Sequence, residues 1–304
     1  MTNLGLIQRE LTRYGITIYL ILGILGNIFN CIIFTHRRFR FRPSSIYFLS
    51  LSILAIVHLI WSVAPFLYTL NYPDHQIESL VYCKIRVYIS HATGQCLRYI
   101  VILACIDRYL VACGDIRFHQ LHSLTFSIKL VLIVCLFWFV SSIYLPILWT
   151  IRDGVCSQFD LYKLIFVIYR LIFSGILPPI LMSLLNILTI RTVHRLQTFH
   201  TRRKPNERYL LRMVIAEVMI NIFTSIPYSI HLIYQAATHF VSDKTIDRLE
   251  IESFLSFIAQ LFIYLNSVAP FYLFVIASKP FRDHLMNLFK CSYRQIRITP
   301  LNHQ

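Results

Sequence analysis

Hydrophobic positions in this chain do not alternate with polar ones; they run on for whole segments. The stretches 14–36, 43–73, 130–151, 171–190, 218–242 and 253–278 contain no Asp, Glu, Lys or Arg. Each matches or exceeds the roughly 20 residues that carry a helix across a hydrocarbon core. A further apolar stretch near 82–111 holds Arg98 in its interior and ends on Asp107 and Arg108. The pattern predicts seven spans, at about 15–36, 45–70, 82–111, 125–150, 162–195, 206–236 and 251–277. Without water in the bilayer core, each backbone N–H and C=O must bond within its own helix. Beyond the last span, Phe281, Leu285, Leu288 and Phe289 recur at helical spacing, with charges on the other face. That reads as an amphipathic helix on the membrane surface. The expected fold is an all-α membrane protein: a seven-transmembrane helix bundle with a short amphipathic eighth helix. The expected division is an N-terminal segment 1–14, a bundle 15–277, and the amphipathic helix with a short tail over 278–304.

Composition agrees. The 304 residues are 57% hydrophobic and 14% charged, whereas a soluble domain carries about a quarter charged residues. The net charge of +15 raises the question of nucleic acid, and its distribution answers it. Most of the 29 Lys and Arg fall in alternate loops: Arg37 to Arg42, Arg108 to Lys129, Arg191 to Arg212, and Lys279 to Arg297. Basic loops stay on the cytoplasmic side, so the N-terminus is expected outside and the charge faces anionic lipid rather than nucleic acid. The first apolar stretch is too long for a signal-peptide core. No internal repeat appears, which argues against a transporter built from repeated halves. In this orientation only Cys83 and Cys156, of eight cysteines, face the oxidising side, and they are the pair expected to bridge. Cys291, at the end of the amphipathic helix, is a candidate for palmitoylation, with an unmodified thiol as the alternative. No H-E-x-x-H, G-x-S-x-G or phosphate loop is present and the histidines are scattered. No enzyme activity, cofactor or metal is therefore expected.

Local motifs then point to a family. Asp107-Arg108-Tyr109 closes the third span, and Cys83 lies twenty-five residues before Arg108. Gly26-Asn27 falls in span one, Trp138 in span four, and Pro178 or Pro179 in span five. Pro227 falls in span six, Pro270 in span seven, and Phe281-Arg282 just after it. In this register the chain resembles rhodopsin-like (class A) G-protein-coupled receptors over nearly its whole length. The run Pro270-Phe271-Tyr272 and the short termini are most similar to invertebrate FMRFamide-type neuropeptide receptors. The chain also departs from the family pattern. Ala55 stands where a sodium-binding Asp is usual, Ser225 where a Trp is usual, and Asn221 where a Phe is usual. Asn186 replaces a Tyr, and Ala269-Pro270-Phe271-Tyr272-Leu273 replaces Asn-Pro-x-x-Tyr. Sodium modulation is expected to be absent and the activation relay altered.

The resemblance implies a switch at Asp107, Arg108 and Tyr109. Arg108 would pair at rest with Glu207, at the inner end of span six, and meet a G protein on release. A surface-exposed pair of this kind contributes roughly 0–1 kcal/mol, which suits a switch. Arg98 lies about 15 Å outward from Arg108 along the helix, and Glu217 is ten residues inward from Pro227. Both belong to polar stripes that should face the bundle interior. They are expected to bond across spans three and six, directly or through Asn221 or water, or else to be separately hydrated. The expected ligand cavity is lined by Ser90, His91 and Gln95 from span three, Tyr228, His231 and Gln235 from span six, and Gln260 and Tyr264 from span seven. Its floor is polar and aromatic, with no span-three Asp for an amine. Acids on the rim (Asp153, Asp160, Asp243, Asp247, Glu250, Glu252) would draw in a basic peptide.

The function expected from this reading is a plasma-membrane receptor for an extracellular ligand, an amidated neuropeptide by resemblance, acting on a heterotrimeric G protein. Three other readings stay open: a chemosensory receptor for a small molecule, a decoy that binds without signalling, and a transporter or channel in which Arg98 and Glu217 mark an ion path.

Overall fold

In the computed structural model the described residues are 3–40, 42–113, 123–152, 154–197, 205–241 and 244–298. Almost all of them are helical. Among the described residues six helices are long and apolar enough to cross a membrane: α1 (Leu4–Thr35), α2 (Pro43–Tyr68), α4 (Leu124–Leu148), α5 (Asp160–Arg195), α6, and α7 (Ile246–Val268). Helix α6 spans Pro205–Ala237. Between α2 and α4 runs α3 (Leu80–Cys113), 34 residues long, about 51 Å at 1.5 Å per residue. It is less apolar because Lys84 and Arg86 join Arg98 within it. Sequence reading weighed only the last of these. Helix α3 packs against α2, α4 and α5, while α6 pairs with α7 and α1 with α2. The chain is thus a multi-pass membrane protein built as a seven-helix bundle.

Bundle faces are inverted relative to a soluble protein. Leu136 of α4 is 66% exposed and Ile276 is 74% exposed, while Asn27, Gln95, Asn221 and Thr224 are buried. Lipid solvates the outward apolar face, so the polar stripes gather inside, where helices offer them partners. Helix α1 starts near Asn3, so most of the segment 1–14 continues the first span instead of standing apart from it.

Prolines shape the long helices. Leu59–Val63 and Leu171–Ile176 are wide turns with i→i+5 hydrogen bonds. Each ends two residues before a proline, Pro65 or Pro178. A proline has no N–H to give, and its ring clashes with the carbonyl four residues back, so the preceding turn opens. Pro270 has a stronger effect: α7 stops at Val268 and α8 (Pro270–Ala277) starts anew. Asn27 Nδ2 stitches α1 to this break, donating to the Ser267 carbonyl at 2.8 Å and to Gly23 at 2.7 Å.

The final helix, α9 (Lys279–Ile298), begins where the Ser278 hydroxyl accepts from the Phe281 N–H at 3.3 Å. Phe281 is fully buried against Phe34, Phe271 and Phe274, with ring centroids 5.8–6.1 Å apart. His284 is buried beside His36, and Leu285 and Leu288 pack on the same core. The amphipathic helix is therefore docked through its N-terminal half, from Phe281 to Leu288. Phe281→Ala is expected to cost about 3–5 kcal/mol, as for other buried aromatics, read as a lower unfolding temperature of the purified protein. An unchanged temperature would show that the docked position contributes nothing. The side chains of Phe289 and Cys291 lie outside the described residues.

Candidate functional site

One end of the bundle is organised by a bridge. Cys83, in the first turn of α3, is disulfide-bonded to Cys156. Cys156 sits in a hairpin of β1 (Thr150–Arg152) and β2 (Val155–Ser157), paired antiparallel with Ile151 opposite Cys156. Gly154 closes the hairpin at φ +71°, a conformation glycine adopts without steric cost. The hairpin was not foreseen, although an Asp-Gly pair flanked by strand-forming residues is its usual signal. Gln76 is held on the bridge, its Nε2 3.2 Å from Cys156 Sγ. Its Oε1 accepts a hydrogen bond from Arg86 Nη1.

Beneath this end lies a cavity of about 450 Å³. Ser90, His91, Gln95, Tyr228, Gln260 and Tyr264 all line it. His231 and Gln235, expected with them, do not. His231 Nε2 meets Ser256 Oγ at 3.0 Å, turned towards α7, and the cavity wall on α6 is Tyr228, below them. Residues not foreseen also line it: Arg86, Arg170, His58, Ser174 and Trp149. The wide turns before Pro65 and Pro178 place Ser62 and Ser174 in the wall. Gln95 Nε2 donates to Ser174 Oγ at 2.8 Å.

Three arginines reach this space. Arg86 is 9% exposed and stacks over Phe66, 5.4 Å from the ring centroid. Arg170 lies between Phe166 and Tyr228, at 5.4 and 5.2 Å. Arg98 donates from Nη1 to the Gly94 carbonyl at 2.7 Å, and its buried Nε has no partner among the described residues. Gly94 makes room for this floor. A Cβ there would meet His58 Cε1 at 3.3 Å and Arg98 Nη1 at 3.5 Å. Asp74 is the one carboxylate among the lining residues, and it caps the turn His75–Glu78 by accepting from the Gln76 N–H at 2.9 Å.

The expected bond between Arg98 and Glu217 is not made directly. Glu217 is 2% exposed and its Oε2 has no partner among the described residues. Asn221 is not the bridge either, since its Nδ2 donates to the Glu217 backbone carbonyl at 2.9 Å. Both charged side chains, with Asn221, Asn266 and His58, line a small void of about 20 Å³ under the main cavity. Arg98 Nε, Glu217 Oε2 and Asn266 Nδ2 are the unpartnered atoms of its wall residues. Such a void has the size and polar wall that one bridging water needs.

At the opposite end of α3, Arg108 and Asp107 form a buried pair, each side chain 4% exposed. Arg108 Nε and Nη2 donate to Asp107 Oδ2 at 3.1 and 2.5 Å. Ser44, in the first turn of α2, donates to the same Oδ2 at 2.8 Å and accepts from Arg108 Nη2. Helix α2 covers this pair, whereas the exposed pairing expected of Arg108 was with Glu207. The Glu207 side chain lies outside the described residues, and Tyr109 is only partly covered. Arg42 reaches Tyr209 of α6 by a hydrogen bond and by stacking over its ring at 5.5 Å. This contact links the start of α2 to α6.

Other landmarks fall inside the bundle. Trp138 is buried against Tyr99 at 4.6 Å, and Pro227 lies within α6. Ala55 and Ser225 are buried, and Ala269 fills the break before Pro270 while Leu273 lies in α8. Among the described residues no cluster of His, Cys, Asp and Glu has the geometry of a metal site. On the rim, Glu252 is held by Lys244 at 2.7 Å and Arg248 at 3.0 Å, and Asp160 lies 3.5 Å from Arg152. Asp153 and Asp243 lie outside the described residues.

A seven-helix membrane bundle with a polar cavity at one end and a buried Asp-Arg pair at the other is the architecture of a transmembrane receptor. The family model described as 7 transmembrane receptor (rhodopsin family) matches residues 26–270, and the chain belongs to that family, a family of receptors and not of enzymes. No curated protein matches the chain.

Proposed function

We propose that this chain is a plasma-membrane receptor with its N-terminus and disulfide outside. A ligand enters the cavity under the hairpin, and the Arg108 end acts on a heterotrimeric G protein. One observation supports the reading: α3 carries residues of both places, and α2 beside it touches both, through His58 and Ser62 at the cavity and Ser44 at the pair. Arg86, Ser90, His91, Gln95 and Arg98 line the cavity, and Asp107 and Arg108 form the buried pair at the far end of the same helix. Ligand binding would favour one of two states by differential affinity, and a rigid helix touching both sites is the element they would share.

A peptide ligand is the finer reading, from the resemblance. The rim gives it less electrostatic support than the bare list of acids suggested, since Glu252 and Asp160 already have basic neighbours. The volume admits a small molecule as well, because about 450 Å³ holds a drug-sized molecule or the end of a peptide.

The test is G-protein dissociation in cells expressing the chain, exposed to pools of peptides and small metabolites, with Arg108→Ala alongside. The expected result is a response in the wild type that the variant loses at equal surface expression. A ligand that binds the wild type without dissociating any G protein would sink the signalling half of the proposal. A response retained in Arg108→Ala would sink the role of the buried pair.

A further inference from the structure

The charge of the cavity lining bears on what the receptor takes, an inference that rests on the receptor reading above. Three guanidinium groups, from Arg86, Arg98 and Arg170, share a space with the single carboxylate of Asp74. None of the three has an acidic partner within ion-pair distance among the described residues. Asp74 is turned to the Gln76 backbone. Glu217, in the void below, does not reach Arg98. Arg86 is buried and Arg98 and Arg170 are partly covered; cations withdrawn even in part from water ordinarily have a counter-charge or a dense set of acceptors, because the withdrawal is costly. Here the neighbours of Arg86 and Arg170 are a neutral amide and aromatic faces. The guanidinium planes are fixed by those rings, which leaves their N–H edges oriented in advance. Acceptors without partners stand nearby at Gln95 Oε1 and Ser90 Oγ. Aromatic side chains (Phe66, Trp149, Phe166, Tyr228, Tyr264) make up much of the remaining wall.

The geometry points to a ligand that carries a carboxylate on an apolar or aromatic body. The carboxylate accepts forked hydrogen bonds from the arginines, an arrangement that matches guanidinium geometry. The body packs on the rings. A primary amine or an amidated chain end presents no anion and leaves all three cations unmatched. A peptide with a free C-terminus offers the same chemistry as a small organic acid, so both sources belong in the experiment.

The purified full-length receptor is assayed by thermal shift against a panel of aromatic and medium-chain carboxylic acids, each beside its own carboxamide. Peptides ending in a free acid are each compared with the amidated form. Thermal shift reads binding without any G protein, so a failure to signal stays separate from a failure to bind. At least one acid, up to millimolar concentration, is expected to raise the unfolding temperature while its amide does not. Arg98→Gln and Arg170→Gln are each expected to weaken that acid about ten- to a hundredfold, as loss of a hydrogen bond to a charged group does. Arg170→Lys, which keeps the charge and loses the fork, should fall between. If Arg98→Gln proves too unstable to purify, the Arg170 pair of variants decides alone. Whether the active acid is a peptide or a small molecule identifies the source. Equal shifts by acids and amides, shifts by amines or amidated peptides only, no shift by any acid, or affinities unchanged in the variants would each overturn the proposal.

Discussion

Asp107→Ala is expected to destabilise the resting receptor by about 3–5 kcal/mol, the usual cost of breaking a buried ion pair from one side. The magnitude follows from the burial of both partners, each 4% exposed. Were the pair exposed, its loss would matter by roughly 0–1 kcal/mol. Without the carboxylate, Arg108 keeps its bond to Ser44 but remains a desolvated cation. Two routes relieve it: the protein unfolds, or the ends of α2 and α3 part and water reaches Arg108. The variant should therefore show a lower unfolding temperature and, on the G-protein coupling proposed above, a higher basal rate of nucleotide exchange. The double variant Asp107→Ala with Arg108→Ala should recover most of the thermal loss, since it removes the stranded charge as well. A single variant as stable as the wild type would show that the pair contributes nothing to the resting state.

Cys83→Ser should be comparably costly. The bridge closes a sequence separation of 73 residues, and a loop of that length corresponds to about 4 kcal/mol in the chain-entropy view. The variant should also lose ligand binding before it unfolds. Gln76 contacts Cys156 and accepts from Arg86, so freeing the hairpin frees a cavity arginine. Thermal unfolding and ligand binding of Cys83→Ser, Cys156→Ser and the double variant give the comparison. The double should match either single. A single variant with wild-type stability and affinity would show that the bridge holds neither hairpin nor cavity.

The helices were legible because their signal is long and redundant. A segment such as 130–151 has one place to go, and the structure puts a helix there. The disulfide was legible by elimination among the cysteines once orientation was inferred. The cavity was legible only on helices whose face could be anchored. Ser90, His91 and Gln95 are fixed by their distance from Arg108 along an unbroken helix. His231 and Gln235 belong to the right stripe of α6 but do not line the cavity; His231 meets Ser256 of α7 instead, and a contact with a neighbouring helix is not written in periodicity. Arg170 and Arg86 were passed over because they lie where a charge-free run gives way to charge. Nothing in one helix tells whether such a side chain turns outward to headgroups or inward. Here Phe166 and Tyr228 hold Arg170 inward, and Tyr228 comes from a different helix. The cover that α2 gives to Asp107 through Ser44 is likewise a contact between segments 63 residues apart.

The wide turns before Pro65 and Pro178 have a consequence for descent. An i→i+5 turn accommodates one residue more than an α-helical turn in the same length of membrane. A relative that lacks the bulge differs from this chain by a single-residue deletion in the middle of a span. If the two were aligned without that gap, every position on one side of the proline would be displaced by one, rotating its assigned face by about 100°. Ligand contacts in α2 and α5 therefore correspond between such receptors only when counted separately from each side of the bulge. An insertion here does not disrupt the fold; it re-aims half a helix.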